Sequence, residues 1–384
     1  MSNIWPLFSV VVIDLIGFGI VVPILPFYSV QFGASATTLG LILMSYAAMQ
    51  FLFSPVWGKI SDRYGRRQVI RITLLGGAIA QLVLGFAPNL TFVFIGRLLG
   101  GLFAANISVA SAYIADVTSE EERAKGMGLI GVGFAIGFLL GPAIGGLLST
   151  YGYHQPILFS AALTTANLIY ASLRLKEPSR HKPSSEIPRA SVFKNRSVLR
   201  LSLVYFIFTI ALSQLESIFA LFMLDRFAYD ARAVSYLLVM MALVMMAVQG
   251  GVMRRATDFL SEEKLFLIGV FLMVFSLCSI PWMESVSLLI LPLIVASVGR
   301  GIGQPSLMSL VSKQAESHQR GAVMGTFQSF ASLGRVIGPV AAGLLYDRRP
   351  AFPFYFAAVL MLVLFWTSFS QIFPATSEIN KRGR

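Results

Sequence analysis

Gly58–Arg67 reads GKISDRYGRR, five charged residues and two glycines set between the apolar runs 37–57 and 69–87. Such a cluster needs water, while the runs on either side are each long enough to enter a bilayer. Working towards the N-terminus, Val12–Tyr28, VIDLIGFGIVVPILPFY, places one carboxylate, Asp14, deep inside the first apolar run. At ~1.5 Å rise per residue and about nine residues in, Asp14 lies roughly 14 Å from the helix start, near the middle of a ~30 Å hydrocarbon core. A charged turn at the membrane edge and an acid at its centre point to a proton-linked transporter.

Composition agrees: 56% of residues are hydrophobic and 12% charged, with a mean hydropathy of +0.75, which no soluble domain surface sustains. Apolar stretches of spanning length fall at 5–27, 37–57, 69–87, 90–115, 125–149, 156–174, 198–224, 233–253, 264–282, 286–310, 321–346 and 353–374. The expected fold class is therefore an all-α polytopic membrane protein of twelve transmembrane helices, because helices alone satisfy an open backbone in lipid. The first run, lacking a basic segment before it and a small-residue cleavage site after it, is expected to stay as a span.

With the N-terminus in the cytoplasm, 23 of the 30 Lys and Arg face inward. Arg226, Arg232, Arg348 and Arg349 fall in outward loops, and Arg97, Arg300 and Arg335 fall inside spans. The positive-inside rule selects this orientation, with both termini cytoplasmic. The net charge of +12 is then spread over loops that meet anionic lipid head groups, with no nucleic-acid partner implied. Cys278 is the only cysteine, so no internal disulfide forms. His154, His181 and His318 show no ligand spacing, and no metal or cofactor is expected.

Lys176–Ser197, KEPSRHKPSSEIPRASVFKNRS, is the longest polar stretch and reads as a cytoplasmic linker (176–197) between six-helix halves at 1–175 and 198–374, with a tail at 375–384. Internal similarity supports the division: IGRLLGG around Arg97 recurs as VGRGIGQ around Arg300, LLGPAIGG around Pro142 as VIGPVAAG around Pro339, and Asp14 has a counterpart in Glu216. Parallel pseudo-repeat halves describe a rocking transporter.

At this point the chain resembles the major facilitator superfamily, and within it the twelve-helix drug:proton antiporters that include the tetracycline exporters. Gly58, Asp62, Arg63, Gly65, Arg66 and Arg67 match the signature of the loop between helices two and three. Arg97 with Gly100 and Gly101 resembles the fourth-helix motif, and Gly128, Gly137, Gly141, Pro142, Gly145 and Gly146 fit the antiporter pattern of helix five. The resemblance implies a cytoplasmic gate in which an Arg of the loop pairs with Asp116 and Asp62 meets the start of the eleventh helix. It also implies efflux driven by the proton gradient, from the inner membrane; twelve helices suffice for a complete pathway, so a monomer is expected. Tetracycline exporters carry a further acid in helix three, where Ala80 and Gln81 stand here; the substrate is left open. The second half keeps Gly251 and an Arg pair in Gly250–Lys264 but lacks the loop core.

The embedded charges leave alternatives. Asp14 is either the proton carrier or a permanent partner of Arg97, and an exchange of Arg97 for a proton would reconcile the two. Glu216 is either a second proton site or cation contact, or a partner of Arg300 or Arg335; unpaired burial is too costly to be the default. The glycine stripe of the fifth span is either close helix packing or, with Pro142, a hinge and seal. Helical spacing groups Tyr46 with Gln50, Arg300 with Gln304, and Gln328 with Ser332 and Arg335 as cavity-lining candidates, with Met240, Met241, Met245 and Met246 as an adaptable wall or plain packing. The sequence-level reading is a proton-coupled exporter of small lipophilic or amphipathic compounds. A transporter of an endogenous metabolite, sugar or lipid-linked molecule, and a non-transporting sensor or scaffold, are the alternatives.

Overall fold

The computed structural model describes residues 4–118, 120–178, 195–314 and 320–369. Most of the expected linker, the tail at 375–384, His181 and His318 lie outside the described residues. The helices are α1 (Ile4–Gln31), α2 (Ala36–Tyr64), α3 (Arg66–Gly85), α4 (Leu90–Phe103), α5 (Asn106–Val117), α6 (Glu120–Leu148), α7 (His154–Arg174), α8 (Arg196–Phe227), α9 (Ala231–Ala247), α10 (Met253–Phe259), α11 (Glu262–Ser279), α12 (Val286–Lys313), α13 (Arg320–Tyr346) and α14 (Phe352–Thr367). The fourth expected span is thus the pair α4 and α5, and the eighth is α9 and α10 joined by a π turn at Val248–Val252. Among the described residues eleven spans have the length and apolarity to cross a membrane, and α14 supplies a shorter twelfth apolar helix.

Local chemistry starts these helices where water is available. Ser35 accepts from the Thr38 amide at 3.1 Å, and Asn89 accepts from that of Phe92 at 3.2 Å. Ser285 and Asn195 do the same for α12 and α8. Each cap satisfies an amide that the first helical turn leaves free. Sidedness follows an apolar rather than a polar pattern: on α3 the exposed residues Ile72, Leu75, Ile79 and Leu82 recur at helical spacing, opposite the buried Val69, Ile70, Thr73, Leu74 and Ala78. A helix apolar on both faces, one of them open, meets lipid there.

Contacts divide the chain into two compact units, one of Met1–Ser184 with Ala220–Met240 and the other of Ser185–Phe219 with Met241–Arg384. In the first, α1 packs on α6 and α7, α3 on α4 and α7, and α2 on α4. Backbone contact between α1 and α6 is permitted by the glycine stripe. A Cβ on Gly141 would stand 2.5 Å from the Gly19 Cα, one on Gly137 2.7 Å from the Leu15 Cβ, and one on Gly145 2.8 Å from the Ile20 carbonyl oxygen. These are the α1 residues that follow Asp14, so the stripe fixes the acid's depth and facing. Gly146 turns the other way, onto Ser235 of α9, while Gly128 faces open space.

In the second unit α11 and α12 touch through Gly269, Gly299 and Gly303, a Cβ on Gly269 falling 2.7 Å from the Gly299 oxygen. Gly334 and Gly338 of α13 lie against Phe206, Thr209 and Ser213 of α8. The Gly338 carbonyl, next to Pro339, accepts from Gln214 Nε2 at 3.2 Å.

Gly141→Ala is expected to cost about 1–3 kcal/mol, the usual penalty for overpacking a tight contact, read as a lowered unfolding temperature of the detergent-solubilised protein. Gly128→Ala adds a methyl where there is room and should be neutral or slightly stabilising, as Ala replaces Gly in a helix interior.

Candidate functional site

The charged turn between α2 and α3 is held by groups from three other places in the first unit. Gly65 joins the helices at φ +106°, a backbone conformation that side-chain-bearing residues rarely adopt. Its amide donates to the Ser61 carbonyl at 3.1 Å. The two amides that open α3 are capped by one carboxylate: Glu177 accepts from Arg66 N at 2.6 Å and from Arg67 N at 3.0 Å. An anion at a helix N-terminus also meets the favourable end of the helix dipole. A Cβ on Gly65 would lie 2.8 Å from that carboxylate.

Arg66 is the arginine that pairs with Asp116, its Nε donating to Oδ2 at 2.8 Å. Its Nη1 reaches Asp62 and the Ser61 hydroxyl, both at 2.5 Å. Arg67 Nη2 donates to the Ser172 carbonyl at 2.6 Å, Arg71 Nε to the Ser172 hydroxyl at 3.0 Å, and Tyr113 to the Lys176 carbonyl at 2.6 Å. The Arg63 guanidinium lies 5.5 Å from the Tyr64 ring centre, and Gly58 faces open space. Residues 315–319, just before the helix that the resemblance pairs with Asp62, lie outside the described residues. Glu177 and Ser172 were not picked out from sequence.

Inside the span Asp14 is half-buried and accepts one hydrogen bond, from Asn106 Nδ2 at 3.0 Å. The other end of that amide, Oδ1, meets the buried Thr73 hydroxyl at 2.5 Å. Arg97 is not on Asp14: its guanidinium lies 4.1 Å from the centre of the Tyr46 ring, a cation–π contact in a site where Arg97 is 8% exposed. Asn106 sits here because the fourth span breaks at Ala104 and Ala105, and it is the first residue of α5. The break frees backbone acceptors, which α2 supplies with donors. Trp57 Nε1 donates to the Leu102 carbonyl at 2.7 Å and Gln50 Nε2 to that of Ala104 at 3.2 Å. Tyr46, Gln50 and Trp57 thus serve one face of α2 towards α4.

The second unit treats the matching pair differently. Arg300 Nη1 and Glu216 Oε1 form an ion pair at 2.5 Å, with both side chains part-exposed; of the two arginines considered as its partner, Arg300 is the one in contact. Gln304 bridges Arg300 Nε (3.5 Å) and the Tyr205 hydroxyl (3.3 Å), and the Tyr205 ring stacks on Phe327 at 4.0 Å. Arg335 is exposed and reaches Ser332 at 3.4 Å, which in turn donates to the Gln328 carbonyl at 3.0 Å. Near the ends of α11 and α12, Glu262 accepts from Ser309 at 2.7 Å and pairs with Lys313. Among the described residues no three His, Cys, Asp or Glu side chains converge as a metal site would require.

The Major Facilitator Superfamily model matches residues 7–315 and 251–383. Among curated relatives, the class B tetracycline resistance protein of Escherichia coli is 30% identical over 352 residues, 88% of this chain and 87% of the relative. Multidrug resistance protein 1 of Bacillus subtilis (strain 168) is 30% identical over 356 residues, 91% of each. Among solved structures, the human organic anion transporter MFSD10 (TETRAN) matches with a TM-score of 0.73 at 26% identity, over 95% of this chain and 98% of that one. The nucleoside transporter NupG matches in fold, with a TM-score of 0.78 at 14% identity, over 96% of this chain and all of that one.

Glu177→Ala should cost about 0.5–2 kcal/mol, the range for a lost helix cap, and Gly65→Ala should cost more, since it adds strain at positive φ and crowds the carboxylate. Because part of the Gly65→Ala penalty is that crowding, the double variant should fall short of the sum; thermal unfolding of the four proteins of the cycle reads the coupling.

Proposed function

The chain belongs to the major facilitator superfamily, and on that premise we propose that it exports small lipophilic or amphipathic compounds in exchange for protons by alternating access. The observation that carries this reading is Asp14, an acid inside a membrane span whose one hydrogen-bond partner among the described residues is a neutral amide. An ion pair with Arg97 would hold the carboxylate charged; a neutral partner leaves it able to take up and release a proton. Curated relatives named for tetracycline resistance and for multidrug resistance support efflux as the direction and drugs as the cargo class.

In this mechanism the proton and the substrate use the carrier in alternation. Asp14 takes the proton, and Arg97, held on Tyr46, tunes the site through its positive charge. The cluster of Asp62, Arg66, Asp116 and Glu177 latches one state from the cytoplasmic side. Glu216, committed to Arg300, takes part in the substrate cavity rather than in proton uptake. Tyr46, Gln50, Gln304, Gln328, Ser332 and Arg335 contribute polar groups along that path. The glycines of α6 keep the first and fifth spans in contact while the halves, 1–175 and 198–374, rock about the linker at 176–197.

No cofactor enters this scheme; the proton gradient is the energy source. One proton carries about 2.3 kcal/mol per 100 mV and about 1.4 kcal/mol per pH unit. At about 100 mV and one unit this holds a substrate gradient of roughly 500-fold. The protein acts as a monomer in the inner membrane, with both termini in the cytoplasm and its basic loops against anionic lipid. A second reading, transport of an endogenous organic anion, draws support from the printed name of the human relative MFSD10 and from the part-exposed Arg300.

Inverted vesicles carrying a pH-sensitive dye test the proposal. Lipophilic cations, neutral drugs and organic anions are added in turn to wild type and to Asp14→Asn. The expected outcome is that a lipophilic compound dissipates the gradient with wild type and not with Asp14→Asn. Dissipation by organic anions alone selects the second reading, and equal dissipation by both proteins removes Asp14 from the coupling path.

A further inference from the structure

The two halves hold equivalent acid and arginine positions in opposite ways. In the second unit the acid sits on the arginine, Glu216 on Arg300 at 2.5 Å. In the first unit Asp14 sits on Asn106 at 3.0 Å, and Arg97 lies on the Tyr46 ring instead. The backbone accounts for the difference. The span bearing Arg300 runs unbroken from Val286 to Lys313, whereas the span bearing Arg97 stops at Phe103 and restarts at Asn106. The residue of α12 in the Asn106 register is Ser309, which bonds Glu262 near the helix ends instead of the embedded acid.

An amide and a guanidinium offer a carboxyl different things. A guanidinium has donors only, so it suits the ionised acid and has nothing for the O–H of the protonated one. A side-chain amide has a donor and an acceptor, and a threonine hydroxyl beyond it can give or receive. With Asp14 ionised, Nδ2 of Asn106 donates to the carboxylate while Oδ1 accepts from Thr73 at 2.5 Å. With Asp14 protonated, the amide turned over accepts the new O–H. Its Nδ2 then donates to Thr73, whose O–H donates to the Val69 carbonyl, 2.9 Å away. The buried polar groups of Asn106 and Thr73 each keep a partner in both states, as buried polar groups require.

We propose that Asn106, brought to Asp14 by the break in the fourth span and oriented by Thr73, is the positioning residue that lets Asp14 alternate between its two protonation states. This rests on the reading of Asp14 as the proton site and adds to it why that acid, and not Glu216, fills the role. Among the described residues no other titratable group hydrogen-bonds or ion-pairs with Asp14 from the elements packed around α1. α6 has none between Lys125 and the end of the helix. Those of α7 are His154, Tyr170 and Arg174, and those of α5 are Tyr113, bonded to the Lys176 carbonyl, and Asp116, bonded to Arg66. On α3, Arg66, Arg67 and Arg71 are engaged at the charged turn. Tyr46 of α2 lies near enough to Asp14 to feel its charge, and its ring carries Arg97 of α4.

The test reads the carboxylic C=O stretch by infrared difference spectroscopy, on full-length protein in lipid nanodiscs as pH is stepped across neutrality; it needs no substrate. Wild type should show a titrating band that Asp14→Asn removes and Glu216→Gln leaves intact. Losing a donor weakens the ionised form more than losing an acceptor weakens the neutral one, because bonds to charged groups are the stronger. Asn106→Ala should therefore hold the proton to higher pH, its midpoint moving in the alkaline direction by about one unit, a tenfold change in proton affinity. Thr73→Val should move it the same way and Thr73→Ser, which keeps the hydroxyl, should not. The Thr73 pair decides the matter if Asn106→Ala fails to fold. A band lost in Asp14→Asn with wild-type midpoints in Asn106→Ala and Thr73→Val overturns the proposal alone. A band that survives Asp14→Asn overturns it together with the proton-site reading beneath it.

Discussion

A span in lipid has no water to complete it, so every backbone break and every charge must find its partner within the chain. The fourth span meets this constraint at its most demanding point. Its helix opens at two alanines, and the carbonyls released there would each cost heavily if left bare. Trp57 and Gln50 of α2 donate to those of Leu102 and Ala104. α2 comes near enough because Gly101 has no side chain; a Cβ there would overlap the Tyr46 carbonyl oxygen. The break, the glycine and the two donors form one arrangement, and none of them is affordable without the others.

The same constraint orders the neighbouring helices. α6 presents Gly137, Gly141 and Gly145 to Leu15, Gly19 and Ile20, which seats α1 backbone to backbone and leaves Asp14 at the depth where α5 begins. Asn167 of α7 donates to the Val10 carbonyl at 2.9 Å and Ser160 to that of Gly17 at 2.8 Å. Both carbonyls lie on α1 within one turn of Asp14. A helix carrying an acid through lipid is thereby tied on both sides by small and polar residues. Such contacts suit a membrane interior, where apolar association brings little gain over lipid.

Much of this architecture was legible in the sequence. Hydropathy located the spans, the repeated motifs around Arg97 and Arg300 paired the two arginines, and the loop signature carried the expectation that an arginine meets Asp116, which Arg66 does. What stayed hidden has a physical reason. Helix breaks are read from proline and glycine, but the fourth span breaks at Ala104 and Ala105, and tertiary donors rather than local conformational preference hold it open. Without the break, Asn106 reads as one more polar residue on a helix, and Thr73 as a hydroxyl bonded to its own backbone. For Gln50, spacing gives a helix face but not the Ala104 carbonyl that awaits it. Glu177 was hidden differently: a cap supplied from more than a hundred residues away leaves no local pattern at the helix it caps.

The asymmetry between the halves then follows from backbone geometry rather than from the acids themselves. Asp14 and Glu216 occupy matching positions and either could bind a proton in isolation. Partner chemistry separates them. On an unbroken helix the arginine is the group in reach, and Glu216 pairs with it. On a broken helix the chain turns an amide inward instead, and Arg97 lies on an aromatic face, which attracts a cation without an anion, while its buried Nε has no hydrogen-bond partner among the described residues. A duplicated scaffold can in this way place one embedded acid on an arginine and its counterpart on a neutral amide, by changing the course of two residues of backbone in one copy.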